Sequence, residues 1–361
     1  MSMCPIEFGW FLPTSGDTSA YADPSQAIQP SLDMFDRVTR AAEDAGFTYL
    51  LLPVDTACWE AWIAGAMMVA RSRVIAPLIA ARPGYIAPVQ MAKMVATFDQ
   101  LSGGRIRINL IAGQSETQIA ADGIPLGKDD RYALMDEEVT ILKALWTATG
   151  PIDFDGRFHT LKRSLVRPRI LQQPYPRFYL GGASRQAWEV SAKHADVHLF
   201  WGDHPDRISA AMAVLRAMAE AHGRTLAFGM RLQIICRERE EDAWEAADAL
   251  VRGVSEQHVR MIHTTYGTSA ANQRMQALSR TPGERILPNL WTGITRVRPG
   301  AGVAVVGNPL QCAGVLQRFI DIGCESFCLS GYLHDAEAER FGRLVMPVLR
   351  ERNAGRIPAV P

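Results

Sequence analysis

Three arginines stand at strand ends or turns: Arg82 in ARPG, Arg231 in FGMRLQII and Arg298 in TRVRPGAG. A planar guanidinium matches a carboxylate, phosphate or sulfonate through paired hydrogen bonds. Taken singly, each is better read as a surface ion pair. Gathered at one mouth, they would receive an anion. Arg231 is the most telling of the three. From Phe228 to Glu240, the residues Phe228, Met230, Leu232 and Ile234 are apolar, and Arg231 and Gln233 fall on the opposite face of a strand pattern. A wet edge strand would satisfy that pattern. A strand covered on both faces, as strand–helix repeats require, would not leave its polar face in water. An arginine and a glutamine pointing into covered space need partners, because an unpaired buried charge is very costly. They would form a polar floor for an anion.

Other groups could join them. Gly181-Gly182-Ala183-Ser184 follows a short apolar run and opens a helix. Glycines admit a close backbone approach, and a helix start offers free N–H groups to a phosphate. The same string also makes a plain strand-to-helix turn. Trp10, Phe200, Trp201 and Tyr332 offer either an apolar slot for a flat ring or core filling, which suits Phe200 better. Cys58 has no histidine beside it in sequence, so it reads as a residue tuning pocket polarity rather than a nucleophile. The histidines at 159, 194, 198 and 204 lack a metal-ligand framework.

Composition sets the frame. The 361 residues are 48% hydrophobic and 21% charged, with zero formal net charge and no basic run. This excludes an obvious nucleic-acid or anionic-membrane partner. No window approaches the roughly 18 apolar residues of a membrane helix. The start, MSMCPIEFGWFLPT, lacks the basic and apolar regions of a secretion signal. Six scattered cysteines without a CxxC pair read as reduced thiols in a cytoplasmic protein.

The elements that must position these groups alternate along the chain. Strands are expected at 7–12, 49–52, 74–80, 106–111, 178–180, 197–201, within the 228–240 stretch and at 326–329. Helices are expected near 31–46, 59–70, 89–101, 131–146, 185–194, 206–222, 242–251, 310–322 and 337–350. Ser31 would cap the first helix and Gly46 end it. A long polar loop runs from Thr14 to Pro30, and short strands at 152–160 and 165–169 form an excursion. Ser255 to Thr295 is polar with weak periodicity, and Pro299, Gly300 and Gly302 favour turns. No linker divides the chain. The economical architecture is a single (β/α)8 barrel with insertions over residues 1–361, with a doubly wound open sheet as runner-up. In such a barrel the functional residues come just after the strands, at the C-terminal face.

Those post-strand segments also carry a resemblance. The chain resembles the bacterial-luciferase-like flavin monooxygenases, and among them the alkanesulfonate monooxygenases. The shared stretches run nearly end to end: WFLPTSGD, Cys58 followed by EAW, FDQLSGGRIRINLIAG, DDRYALMDE, QQPYPRFYLGGAS, FGMRLQII, PNLWTG, RPGAG and SGYLHDAEA. The resemblance implies a luciferase-like (β/α)8 barrel that takes FMNH2 from a separate NAD(P)H-dependent flavin reductase. With O2 as co-substrate, the enzyme would cleave the carbon–sulfur bond of an organosulfonate to give sulfite and an aldehyde. It implies active-site roles for Cys58, Trp201, Arg231, Arg298 and Tyr332. It places Arg82, Asn109, Gly113, Tyr132, Gly182, Ala183 and Ser184 about the flavin. It makes 255–295 a mobile lid and the protein a homo-oligomer, dimer or tetramer.

One departure stands out. The alkanesulfonate enzymes carry histidine where this chain has Gln233. Glutamine cannot titrate, but it can pair hydroxyl groups. The expectation is therefore a pocket for a polar sulfonate such as the sugar sulfonate sulfoquinovose, with Gln233 beside the substrate and His334 as a candidate acid. The rival readings are a luciferase-like oxidoreductase on a non-sulfonate, including a deazaflavin-dependent one, and a non-catalytic flavin-binding barrel.

Overall fold

The computed structural model describes residues 5–267 and 269–358. Cys4 and the first residues of the N-terminal stretch lie outside the described residues. Eight parallel strands form the centre: β1 Glu7–Phe11, β2 Tyr49–Leu52, β3 Ala76–Ala81, β4 Arg107–Leu110, β5 Phe178–Gly181, β6 Val197–Trp201, β7 Ala227–Cys236 and β8 Ser326–Ser330. Each pairs with the next in sequence, and β8 returns to β1. The ring is closed, so the open-sheet alternative is excluded and none of the eight is an edge.

Local sequence explains the alternation. Ser31 accepts from Met34 N–H at the start of helix Leu32–Ala45, and Gly46 closes it at φ 88°. Gly103 ends helix Pro88–Ser102 in the same left-handed region, at φ 65°. The strands are apolar on their outer faces, and most inner positions are apolar too. Phe228, Met230, Leu232 and Ile234 of β7 face outward into the main core with Met212, Leu316 and Phe319 of the surrounding helices. Tyr49, Leu78, Tyr179, Leu199 and Cys328 fill the barrel interior.

Three segments differ from the pattern expected. Residues 255–295 hold two helices, Glu256–Tyr266 and Ala270–Leu278. The first buries no residue fully and half-buries only one face, at Val259, Ile262 and Tyr266, which the polar residues around it obscure in the sequence. Ala304–Gly307, within a glycine-bearing stretch read as turns, pairs with the far half of β7 over Gln233–Cys236. β7 is thus ten residues long, half in the barrel and half in a raised flap. The excursion is a hairpin of Ile152–Asp155 and Thr160–Ser164, so its second strand begins at Thr160 rather than at 165.

The N-terminal end of the barrel is sealed by a paired charge. Arg107 donates to Glu7 Oε2 and to the Tyr179 hydroxyl, each at 2.8 Å, and Ser326 donates to Glu7 Oε1 at 2.9 Å. Tyr179 also donates to Glu7, and the Arg107 guanidinium lies 5.1 Å from the Tyr49 ring centroid. Burial pushes the Glu7 carboxyl up, but Arg107 and Arg177 with the two hydroxyl donors outweigh it, and the net shift is downward. A carboxyl with a depressed folded pKa stabilises above its unfolded value, near 4.3 for Glu, and loses that contribution as pH falls through the folded value. Arg107→Leu should cost about 3–5 kcal/mol, because it strands a buried carboxylate. Urea melts at pH 7 and pH 4 will check this, with the wild-type advantage shrinking toward the lower pH.

Candidate active site

The C-terminal ends of the strands open onto one cavity of about 600 Å³. This lies within the usual range for small-molecule sites. Arg82, Arg231 and Arg298 all line it, as do Cys58, Asn109, Gly113, Tyr132, Gly182, Trp201, Tyr332 and His334.

The arginines differ in their partners. Arg82 is committed. It donates to Asp122 and Tyr85, each at 3.1 Å, and to Val54 O and Gln118 Oε1. Arg231 is 7% exposed, and its Nη1 donates to neutral acceptors: Ser330 Oγ at 2.9 Å, Leu232 O at 3.0 Å and Cys328 O at 3.4 Å. Its guanidinium lies 4.8 Å from the centroid of the Phe11 ring. Burial lowers its pKa, as expected for a cation short of counter-charge. Arg298 donates from Nη1 to the Tyr332 hydroxyl at 2.8 Å and from Nε to Pro299 O at 3.2 Å. Burial acts against its charge too, but the phenol oxygens of Tyr332 and Tyr21 outweigh it and raise its pKa. Among the described residues, neither Arg231 nor Arg298 has a carboxylate within ion-pair distance. Two cations without carboxylate partners therefore face one cavity, an arrangement that suits an anion.

The remaining walls come from loops. Trp201 ends β6 in register with Arg231. Burial pushes the Cys58 thiol up, so it stays neutral and is not poised as a thiolate nucleophile. His334 is buried, its backbone N–H donates to Asp17 Oδ2 at 2.7 Å, and its Nδ1 lies 2.9 Å from Asp17 Oδ1 without the alignment of a hydrogen bond. Trp10 and Phe200 belong to the core.

Gln233 departs from the expectation. It is fully buried and does not line the cavity. Its Nε2 donates to Ala301 O at 2.9 Å, and its Oε1 accepts from the Ser330 hydroxyl. The strand parity is as expected, but the chain at 301–303 crosses above it, with Gln233 N–H bonded to Val303 O. Gln233 therefore braces Ser330, which in turn receives Arg231. It cannot touch a substrate, and so it gives no ground for a hydroxylated one.

A recess of about 40 Å³ adjoins the main cavity and shares Gly113, Tyr132 and Gly182 with it. Ala183, Ser184 and Lys128 line it as well. Gly182 sits at φ 153°, where a Cβ would meet the Ala187 Cβ at 2.7 Å. Glu116 also faces the recess, but Arg131 binds both its oxygens at 2.7 and 2.8 Å. That pairing neutralises the carboxylate beside Lys128. A lysine, a glycine turn that leaves the backbone bare and the start of helix Arg185–His194 together suit a phosphate.

Sequence reasoning missed Asp17, Tyr21, Lys128, Asn272 and Ser330. Asp17 and Tyr21 sit in the long N-terminal loop, where no period marks which side chains turn inward. Lys128 opens a helix and reads there as an ordinary surface lysine.

The closed parallel barrel and its cation-lined mouth are shared with a family of flavin-dependent oxidoreductases. The chain belongs to the luciferase-like monooxygenase family, whose model matches residues 6–326. Solved structures agree in fold. A long-chain alkane monooxygenase superposes with TM-score 0.82 at 18% identity, covering 99% of this chain and 94% of that one. EDTA monooxygenase from Chelativorans sp. BNC1 gives 0.78 at 17%, covering 98% and 95%. A riboflavin lyase holding modified FMN gives 0.78 at 19%, covering 98% and 94%. Enzymes dependent on coenzyme F420 share the fold as well. No helix among the described residues is long and apolar enough to cross a membrane.

The bracing role of Gln233 is testable. Gln233→Leu takes the acceptor from the Ser330 hydroxyl proton and the donor from the Ala301 carbonyl in a buried layer, at a cost of about 1–3 kcal/mol. Thermal melting should show the loss. An unchanged melting temperature would mean that the two groups find other partners.

Proposed function

We propose that this protein is a two-component monooxygenase that uses FMNH2 and O2 to cleave the carbon–sulfur bond of an organosulfonate. The observation that carries the reading is the pair Arg231 and Arg298, buried at one cavity without carboxylate partners. A sulfonate keeps its negative charge at every physiological pH, so it suits a fixed cationic receptor. Reduced FMN with O2 supplies the oxidising equivalents, and the reaction balances as RCH2SO3⁻ + FMNH2 + O2 → RCHO + HSO3⁻ + FMN + H2O. Tyr132, Lys128 and the Gly182–Ser184 turn would hold the FMN phosphate, with Arg82, Asn109 and Gly113 along the wall toward the main cavity. A separate NAD(P)H-dependent flavin reductase would supply FMNH2, and a homo-oligomer is the expected assembly.

The chain's own residues have defined tasks in this reading. Arg231 and Arg298 orient the sulfonate and stabilise negative charge that develops as the bond breaks. His334, whose backbone N–H is held by Asp17, is the candidate acid at the wall. Cys58 remains a neutral thiol. Sulfonates as a class are proposed, with no preference between alkyl and hydroxylated chains.

Helices Glu256–Tyr266 and Ala270–Leu278 would act as the lid that excludes water. Arg274 joins the second of them to Asp203, after β6, through bonds of 2.6 and 2.7 Å. Asn272 donates to Gln114 at 3.0 Å and accepts from Gly300 N–H at 2.9 Å. The Gly300 contact ties the second helix to the loop that carries Arg298, and the others tie it to the loops after β4 and β6.

A sulfite-release screen with FMN, a flavin reductase and a panel of sulfonates tests the function. Arg231→Ala and Arg298→Ala should each lower kcat/KM for sulfite release by about tenfold to a hundredfold, the worth of a charge-assisted bond of roughly 1.5–3 kcal/mol. No sulfite from any sulfonate, with turnover of a non-sulfonate or with a deazaflavin instead, would reject the reading. Arg274→Ala should raise the hydrogen peroxide released per substrate oxidised several-fold, because a loosened lid admits water. Oxygen-electrode and peroxide assays run together will read that ratio.

A further inference from the structure

The long N-terminal loop sends one side chain into the anion receptor. Tyr21 donates from its hydroxyl to the Tyr332 hydroxyl at 2.7 Å, and its ring meets the Tyr332 ring edge-on at 5.5 Å. Its backbone N–H bonds Leu250 O at 3.0 Å, which anchors the loop on helix Glu240–Val251. Both tyrosines line the cavity. The Tyr332 oxygen thus accepts two hydrogen bonds, one from Tyr21 and one from Arg298 at 2.8 Å.

The two phenols carry two hydroxyl protons between them. One is used in the bond that joins them, and Arg298 brings its own. One phenol proton is left over, and with Tyr21 as donor it belongs to Tyr332. Two donors already occupy the Tyr332 oxygen, so its proton turns away from both.

We infer that Tyr21 is a positioning residue that commits Tyr332 to donate its hydroxyl proton to the bound anion, making Tyr332 a third donor beside Arg231 and Arg298. Without the Tyr21 hydroxyl, the Tyr332 oxygen keeps only Arg298, and its proton is free to rotate away. The inference rests on the organosulfonate reading of the same cavity.

The test is a double-mutant cycle in the full-length protein, with methanesulfonate as the binding probe and sulfite release as the second readout. Tyr21→Phe keeps the ring and removes the donor. Melting curves confirm that Tyr21→Phe and Tyr332→Phe remain folded. Each single variant should weaken methanesulfonate binding about tenfold by calorimetry. The double variant should bind no more weakly than Tyr332→Phe, because Tyr21 acts only through Tyr332. Sulfite release should follow the same non-additive pattern in kcat/KM. Additive losses, or a Tyr21→Phe variant that binds like wild type, would overturn the role of Tyr21. A wild-type protein that binds no methanesulfonate and releases no sulfite would overturn the sulfonate reading itself, which separates the two failures.

Discussion

A cation placed in a barrel interior must find a counter-charge, and the two ends of this barrel meet that demand differently. At the N-terminal end, Arg107 is matched by Glu7 and flanked by hydroxyls. That site is satisfied and has no capacity to bind anything else. At the C-terminal end, Arg231 donates only to a serine and to carbonyls, and Arg298 to a phenol and a carbonyl. Neutral acceptors relieve part of the desolvation cost of a guanidinium but do not cancel its charge. The positive potential that remains faces a cavity, where a bound anion can offset it.

The rest of the architecture serves that arrangement. Closing the sheet removes its edges and leaves the strand ends as the place where polar side chains can face space. β7 continues past the barrel and pairs with Ala304–Gly307. That extension carries the 299–303 segment across the top of Gln233 and sets Arg298 opposite Arg231. The bond from Arg231 to Ser330, and from Ser330 to Gln233, passes the geometry from strand to strand through neutral groups. A carboxylate in place of Gln233 would neutralise Arg231, whereas the amide braces Ser330 and leaves that charge to the cavity.

Helices Glu256–Tyr266 and Ala270–Leu278 and the N-terminal loop approach the cavity from opposite sequence distances. Asn272 and Arg274 bring the helices of 256–278 down onto loops that come after β4 and β6. Asp17 and Tyr21 bring the 14–30 loop against His334 and Tyr332. Each contact joins residues separated by about seventy to more than three hundred positions along the chain. A loop of this length is costly to order, and it is ordered here by polar bonds at its functional end.

The sequence by itself determined the eight strands and their order, because each is a short apolar run bounded by glycine, proline or a helix cap. It also determined which side of β7 carries Arg231, since side-chain parity along a strand is a local property. The three arginines and the glycine turn at 181–184 were legible for a related reason: they stand at or just past strand ends, and a barrel brings all its C-terminal strand ends to one face. Only the tertiary structure decided which polar groups are free. Arg82 and Arg231 look alike in sequence, yet Asp122, forty residues away, occupies one, and no carboxylate among the described residues reaches the other. Gln233 shares a face with Arg231, yet a backbone crossing from residues 301–303 seals it off. Partnership between distant charges depends on how loops fold back over the strands, and no local pattern records that path.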